Sequence, residues 1–239
     1  MEATIHLSSS SNYADITLKE DDGSVTKKMI TMDNLRDIFK SQEPSRYHLQ
    51  SPLFFEMEEK EYIQGLLYGE VSNSHCAGIY FVPGDKRLTN VYGEKAMIPN
   101  PSTLFVLFAK NGRIQKSLCF AVKEKDIYEL KKDTVLYSFP FGNVMPSDAH
   151  ICWGNNRLAD MSDYISLRYA ISVFFGSESN KDYVNMGRSY ASKYGEYEQF
   201  LNTIKDFEEF PEDAYVVSPY KQTLGSLFKT FNDLLKEVK

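Results

Sequence analysis

The stretch Thr134–Asn156, TVLYSFPFGNVMPSDAHICWGNN, decides how the rest of this chain is read. Val135-Leu136-Tyr137 is an apolar, strand-like run that enters a segment of aromatics and turn formers, Phe139-Pro140-Phe141-Gly142-Asn143-Val144, before Ile151-Cys152-Trp153-Gly154. Cys152 therefore sits in irregular backbone between aromatic anchors, with Asn143 nine residues before it and His150 two before it. A thiol attacks as its thiolate, so a reactive cysteine needs partial exposure and a way to lose its proton. In acyl transfer the attacked carbonyl gathers negative charge, and an asparagine amide is a suitable donor to it. Cys152, Asn143 and His150 supply these residue types and are the candidate catalytic residues. No second His–Asp pair completes a protease-like triad. That suits thioester transfer, in which an incoming amine attacks an acyl group already activated.

Composition narrows the field. A chain of 239 residues buries a full core and reads as one large domain, or one domain plus an elaborated half. Its 42% hydrophobic and 25% charged residues are those of an ordinary globular protein. A formal charge of -6 argues against nucleic-acid binding driven by phosphate neutralisation. No apolar run approaches the roughly 20 residues needed to cross a bilayer. The start, MEATIHLSSSSNYADI, lacks the basic segment and apolar block of a secretory signal. Cys76, Cys119 and Cys152 are too widely spaced for a disulfide framework, so the expected setting is the cytoplasm, with free thiols.

Working outward, residues 1–60 read as a β-rich extension and 61–239 as the main domain. In the extension, strands are expected over 3–8, 13–19 and 25–31, the last pair joined through Asp21-Asp22-Gly23. Asp33 is placed to cap a short helix with Leu35, Ile38 and Phe39 on one face. Residues 41–51 read as a polar connection. Further strands are expected over 53–57, 62–68 and 77–82. Ser102–Lys110 (STLFVLFAK) is the most apolar strand, and Asn111-Gly112 is a strong hairpin signal with 114–123 as the returning partner. Cys119, inside that partner beside Leu118 and Phe120, reads as a packed structural thiol.

After Asn156 the texture turns helical. Residues 161–175, with Ser162 or Asp163 as cap, place Ile165, Tyr169, Ile171, Ser172 and Phe175 at helical spacing. Residues 194–207 and 218–238 continue the pattern, the latter through Leu224, Leu227, Phe228, Phe231, Leu234 and Leu235. An acidic link containing Pro211 separates these two. Strands first and helices last is the α+β pattern, here an antiparallel β-meander followed by C-terminal helices.

Other chemistries find no support. The chain has no phosphate-binding glycine loop, no dinucleotide turn, no His-Glu-x-x-His helix and no serine-hydrolase elbow. His75-Cys76 combined with His150 and Cys152 would be a four-ligand zinc set. Adjacent residues in extended chain point apart, however, and neither pair forms a Cys-x-x-Cys knuckle.

Phe139-Pro140-Phe141-Gly142-Asn143-Val144 followed by Ile151-Cys152 resembles the active-site segment of ubiquitin-conjugating enzymes. More closely, the chain resembles the prokaryotic ubiquitin-conjugating-like family D, a branch that includes PRTRC system protein B. The matching elements are Ile98-Pro99-Asn100-Pro101 before Leu104–Phe108, Thr134-Val135-Leu136-Tyr137, Asn143-Val144, Ile151-Cys152-Trp153-Gly154-Asn155 and Val173-Phe174-Phe175, spread over about residues 60–185. The resemblance implies a ubiquitin-conjugating-like fold with Cys152 as the thioester-forming residue. It implies that Asn143 steadies the oxyanion or orders the active-site loop. Its implied partners are a ubiquitin-like protein, a ThiF-type activating enzyme and a JAB-type metallopeptidase, with no cofactor or metal on this chain.

Two departures from the family pattern stand out. Gly142 replaces the proline that precedes the asparagine, and the Asn-to-Cys spacing is one residue longer than usual. An extra turn residue can rotate the amide away from the thiol, which leaves Asn143 between a catalytic and a structural role. His150 matches no family position and is a candidate proton acceptor by proximity. Trp153 and Tyr137 are expected to pack the loop. Asn155, Asn156 and Asp160 suit either steering of an amine or turns and a helix cap. Two further functions fit the same residues: a non-catalytic accessory protein of a plasmid system, and an acyl hydrolase using Cys152 with His150.

Overall fold

The computed structural model describes residues 2–7, 13–19, 21–31, 47–50, 65–72, 74–91, 94–158 and 160–237. The chain divides into two compact units, residues 1–45 and 46–239. In the first, β1 (Glu2–Leu7), β2 (Tyr13–Lys19) and β3 (Val25–Thr31) form an antiparallel sheet in that order. The β2–β3 turn is the expected one: Lys19 faces Val25, and the Asp22 carboxylate accepts the Ser24 N–H at 2.8 Å. The helix expected after Asp33 and the strand expected over 53–57 lie outside the described residues.

The second unit is built on a six-stranded antiparallel sheet. Its strands are β4 (Tyr47–Gln50), β5 (Leu66–Val71), β6 (His75–Val82), β9 (Ser102–Lys110), β10 (Arg113–Val122) and β11 (Tyr137–Ser138), side by side in chain order. A separate hairpin, β7 (Lys86–Val91) and β8 (Glu94–Pro99), is inserted between β6 and β9. Neither that hairpin nor β4 was expected. The β4 residues Tyr-His-Leu-Gln are too few to show a period, and charge at Lys86, Arg87, Glu94 and Lys95 masks the alternation of the hairpin.

Every residue of β9 from Ser102 to Ala109 is buried. A strand with one wet face would alternate. This one is buried along that whole length because helices cover both faces of the sheet. On one face Tyr80, Phe105, Leu107 and Cys119 pack with α1 (Tyr164–Gly176) and α2 (Tyr197–Ile204). On the other, Ile79, Val106, Leu118 and Phe120 pack with Leu227 and Phe231 of α3 (Leu224–Glu237). The β9–β10 turn has Asn111 at φ 49° and Gly112 at φ 72°, the double left-handed conformation that the Asn-Gly pair selects.

Asp163 caps α1, its carboxylate accepting the Ser166 N–H at 2.7 Å while the Ser166 hydroxyl receives the Asp163 N–H. The helix buries Leu167, Ala170, Ile171 and Phe174. Of the residues at helical spacing, Ile165 and Tyr169 are more than half exposed, at 53% and 56%. The other two helices begin later than expected. A 3-10 turn at Ser192–Tyr194 and Gly195 at φ 74° delay the start of α2. Residues 216–224 run alongside 134–138 before α3 begins. Ser138 N–H reaches the Val216 carbonyl, and Leu136 N–H the Gln222 carbonyl, each at 2.9 Å. That pairing covers the open edge of β11. Among the described residues no helix is long and apolar enough to cross a membrane.

Candidate active site

Beyond β11 the chain is anchored by Phe139 and Phe141, both buried and both packed edge-on into neighbouring rings, Phe139 against Phe174 at 5.4 Å and Phe141 against Phe210 at 6.3 Å. It then folds into a small hairpin. Val144 pairs with Ile151, the Cys152 N–H donates to the Asn143 carbonyl at 2.8 Å, and the Met145 N–H donates to the His150 carbonyl at 2.9 Å. Asn143 and Cys152 are therefore directly opposite one another across an antiparallel pair. Side chains so placed share a face and stand roughly 4.5–5.5 Å apart at Cβ. Val144 and Ile151 take the other face and are buried.

The longer Asn-to-Cys spacing is absorbed in the turn between the two arms. Ala149 adopts φ 59°, a conformation uncommon for a residue with a Cβ, and its N–H closes the turn onto the Met145 carbonyl at 2.8 Å. The same turn is stitched to the main sheet. Ala149 accepts the Cys119 N–H at 2.9 Å, and Ile151 donates to the Ser117 carbonyl at 3.0 Å. The amide of Asn143 is thus registered with the thiol by backbone pairing and not by the length of the turn.

Cys152 is half-buried and lines an open cleft of about 440 Å³, together with Asn143, Asn156, Glu178, Asp182 and Tyr183 among others. Trp153 does not seal it, because the indole N–H is tied to the Ser117 hydroxyl at 3.0 Å and the ring lies edge-on to Phe174. The far wall is the segment after α1, residues 177–184, and Gly142 explains how closely it approaches. A Cβ at Gly142 would stand 1.5 Å from the Asn180 carbonyl oxygen. The proline of the family pattern would collide there, so its replacement by glycine is a packing requirement of this chain.

Ser179 fastens the wall. Its hydroxyl meets the Tyr197 hydroxyl at 2.8 Å and accepts the Gly142 N–H at 3.3 Å, while its own N–H donates to the Asn90 carbonyl at 2.8 Å. Asn180 folds its side-chain oxygen onto the Asp182 N–H at 2.9 Å. Tyr183 also lines the cleft, and interaction with Cys152 raises its phenol's pKa above the ordinary value.

The predicted site residues are distributed unequally. Cys152 and Asn143 come together in the cleft. His150 lies two residues along the same hairpin face, roughly 7 Å away by strand geometry. Its ring is exposed and is not part of the cleft lining. Asn155 and Asn156 line the cleft, with Asn156 bridging the Trp153 carbonyl and the Ser177 hydroxyl, each at 2.9 Å. Asp160 sits instead against Gly112 in the β9–β10 turn. Tyr137 packs on Tyr215 at 4.9 Å, away from the thiol. Cys119 is fully buried in β10 and Cys76 in β6, and burial pushes both thiols up. His75 lies between the Glu70 carboxylate at 3.1 Å and the Ser72 hydroxyl at 2.7 Å. Among the described residues no group of three or more His, Cys, Asp or Glu is placed to hold a metal. Ser179, Asn180 and Tyr183 were missed. The one signal in the sequence is the polar run Ser177-Glu178-Ser179-Asn180-Lys181-Asp182 after an apolar helix, which by itself reads as a loop.

The sequence profile of prokaryotic E2 family D matches residues 60–218, about two thirds of the chain. The chain belongs to that family, and with it goes a ubiquitin-conjugating-like fold. Comparison with curated proteins and with solved structures finds no match.

Proposed function

We propose that this protein is a thioester carrier: Cys152 accepts the activated C-terminus of a ubiquitin-like protein and passes it to an amine. The observation that carries the reading is the pairing of Asn143 directly opposite a half-buried Cys152 at the mouth of an open cleft. In loading, the thiolate attacks the carbonyl carbon of the thioester on an activating enzyme. The new S–C bond forms as the donor S–C bond breaks, and the donor cysteine leaves as thiolate. In discharge, the amine nitrogen attacks the same carbon, the bond to Cys152 Sγ breaks, and the surplus proton goes to solvent.

Asn143 is the donor to the oxyanion formed in each step. The step draws on no base at His150, whose ring stands outside the cleft lining. Glu178 and Asp182 line the cleft, and no Lys or Arg is among its described lining residues, a charge balance that suits an incoming amine. The partner classes that family membership supports are a ubiquitin-like protein and an activating enzyme, which would consume the ATP.

Incubation with a cognate activating enzyme, ATP and the ubiquitin-like protein is expected to give an adduct that thiol reductant releases. Cys152→Ala is expected to abolish it. An adduct that survives this substitution, or none with a cognate set shown to be active, overturns the proposal.

A further inference from the structure

Ser72, His75 and Glu70 form a cluster outside the cleft and take no part in the chemistry assigned to Cys152. They lie around the turn that joins β5 to β6. The Ser72 hydroxyl stands 2.7 Å from His75 Nδ1, and His75 Nε2 stands 3.1 Å from Glu70 Oε1. Glu70 and His75 are buried, whereas Ser72 is half-buried and Ser74 beside it is exposed. The backbone holds the turn on both sides. The Ser72 N–H donates to the His75 carbonyl, and the Asn111 N–H in the β9–β10 turn donates to the Ser74 carbonyl, each at 2.8 Å.

Counting lone pairs places the protons. The Ser72 oxygen accepts the His75 N–H at 3.2 Å and the Ser74 N–H at 3.3 Å, which occupies both of its lone pairs. Its own proton therefore goes to the nearest remaining acceptor, His75 Nδ1, since the Ser74 hydroxyl is farther at 3.5 Å. Nδ1 is then unprotonated, and the ring hydrogen sits on Nε2, aimed at Glu70. Hydroxyl to imidazole to buried carboxylate is the order that an activated serine needs. A serine that only tied the turn would need the two backbone bonds and no oriented imidazole.

We propose that Ser72 is a second nucleophile, with His75 as its general base and Glu70 as the residue that orients the base, and that it accepts the acyl group of small activated esters. The Ser72 oxygen attacks the ester carbonyl carbon with the lone pair that takes the Ser74 N–H, the longer of its two backbone contacts. The O–C bond forms as the serine proton passes to Nδ1. The bond to the leaving oxygen breaks with its electron pair, and the imidazolium gives that oxygen its proton. Water then attacks the acyl carbon, loses a proton to Nδ1, and that proton returns to the Ser72 oxygen as it leaves.

A phosphonofluoridate probe traps such a serine without turnover: the O–P bond forms, the P–F bond breaks to release fluoride, and the serine proton goes to Nδ1. General-base assistance is worth about 10²–10⁴ in rate. Peptide mapping of the full chain is expected to show Ser72 labelled about 10²-fold or more faster in native protein than in urea, where turn and base are lost. Ser72→Ala is expected to lose that label and Ser74→Ala to keep it. Glu70→Gln keeps the size and removes the charge, so the maximal labelling rate is expected to fall about tenfold or more at unchanged half-saturation. In a Cys152→Ala chain, release of 4-nitrophenolate from 4-nitrophenyl acetate is expected to drop to background when Ser72→Ala is added. Labelling of Ser72 no faster in native protein than in urea overturns the proposal, as does ester cleavage that Ser72→Ala leaves unchanged. Neither result bears on the adduct at Cys152, so the two ideas fail separately.

Discussion

Cys119 and Cys152 are the same side chain in two settings of one sheet. Cys119 lies mid-strand in β10, fully buried between Leu118 and Phe120, and low dielectric surroundings hold it in the neutral thiol form. Cys152 lies on a two-armed hairpin fastened to β10 through Ser117 and Cys119 themselves. The hairpin turns its alternate side chains outward, so Ile151 is buried and Cys152 meets the cleft. The buried thiol thus helps hold the open one in place, its own N–H bonded to the turn at Ala149. Reactivity here is a matter of which side of a pleat a residue occupies, one residue either way being enough to reverse it.

The comparison can be broken most severely at Asn143. Asn143→Ala removes the amide and leaves the carbonyl that pairs with Cys152 intact. We expect transfer from the loaded thiol to fall by about 10²-fold or more, with the melting temperature unchanged. A loss of stability in place of a loss of rate would make Asn143 a structural residue.

Next in size is Gly142→Ala. The added methyl meets the Asn180 carbonyl oxygen, and overpacking of this kind costs about 1–3 kcal/mol. Thermal or urea unfolding should show that loss, and discharge should slow as well because the cleft wall at Asn180 is displaced. Cys119→Ser sharpens the contrast from the other side. A hydroxyl buried in β10 costs about 1–3 kcal/mol, read from urea unfolding, while the rate of Cys152 alkylation per folded molecule stays at the wild-type value. Smallest is Trp153→Phe, which deletes the bond to Ser117. About 1 kcal/mol of stability is expected to go, with Cys152 labelled at least as fast as before.

Much of this was legible in the residues. The Asn111-Gly112 turn, the apolar run of β9 and the Asp163 cap carry their own local signals, and each acts within a few residues. That Cys152 and Asn143 lie together was legible for the same reason, as two ends of one short hairpin. What was hidden is set by distant contacts. The face of α1 follows from the sheet beneath it and not from its own mixed pattern, which does not say that Ile165 and Tyr169 are the exposed members. Gly142 looked like a departure from the family and is explained only by Asn180, thirty-eight residues on. Tyr183 was hidden because nothing in a polar loop says which cleft it will line.

The central claim is that this fold holds Cys152, of its three free thiols, open for chemistry. Brief alkylation of the native protein with iodoacetamide, followed by peptide mapping, tests it directly. The account predicts modification at Cys152 alone, with Cys76 and Cys119 slower by about 10³-fold or more because they must await opening of the sheet. Protection of Cys152 to the level of the other two would contradict it.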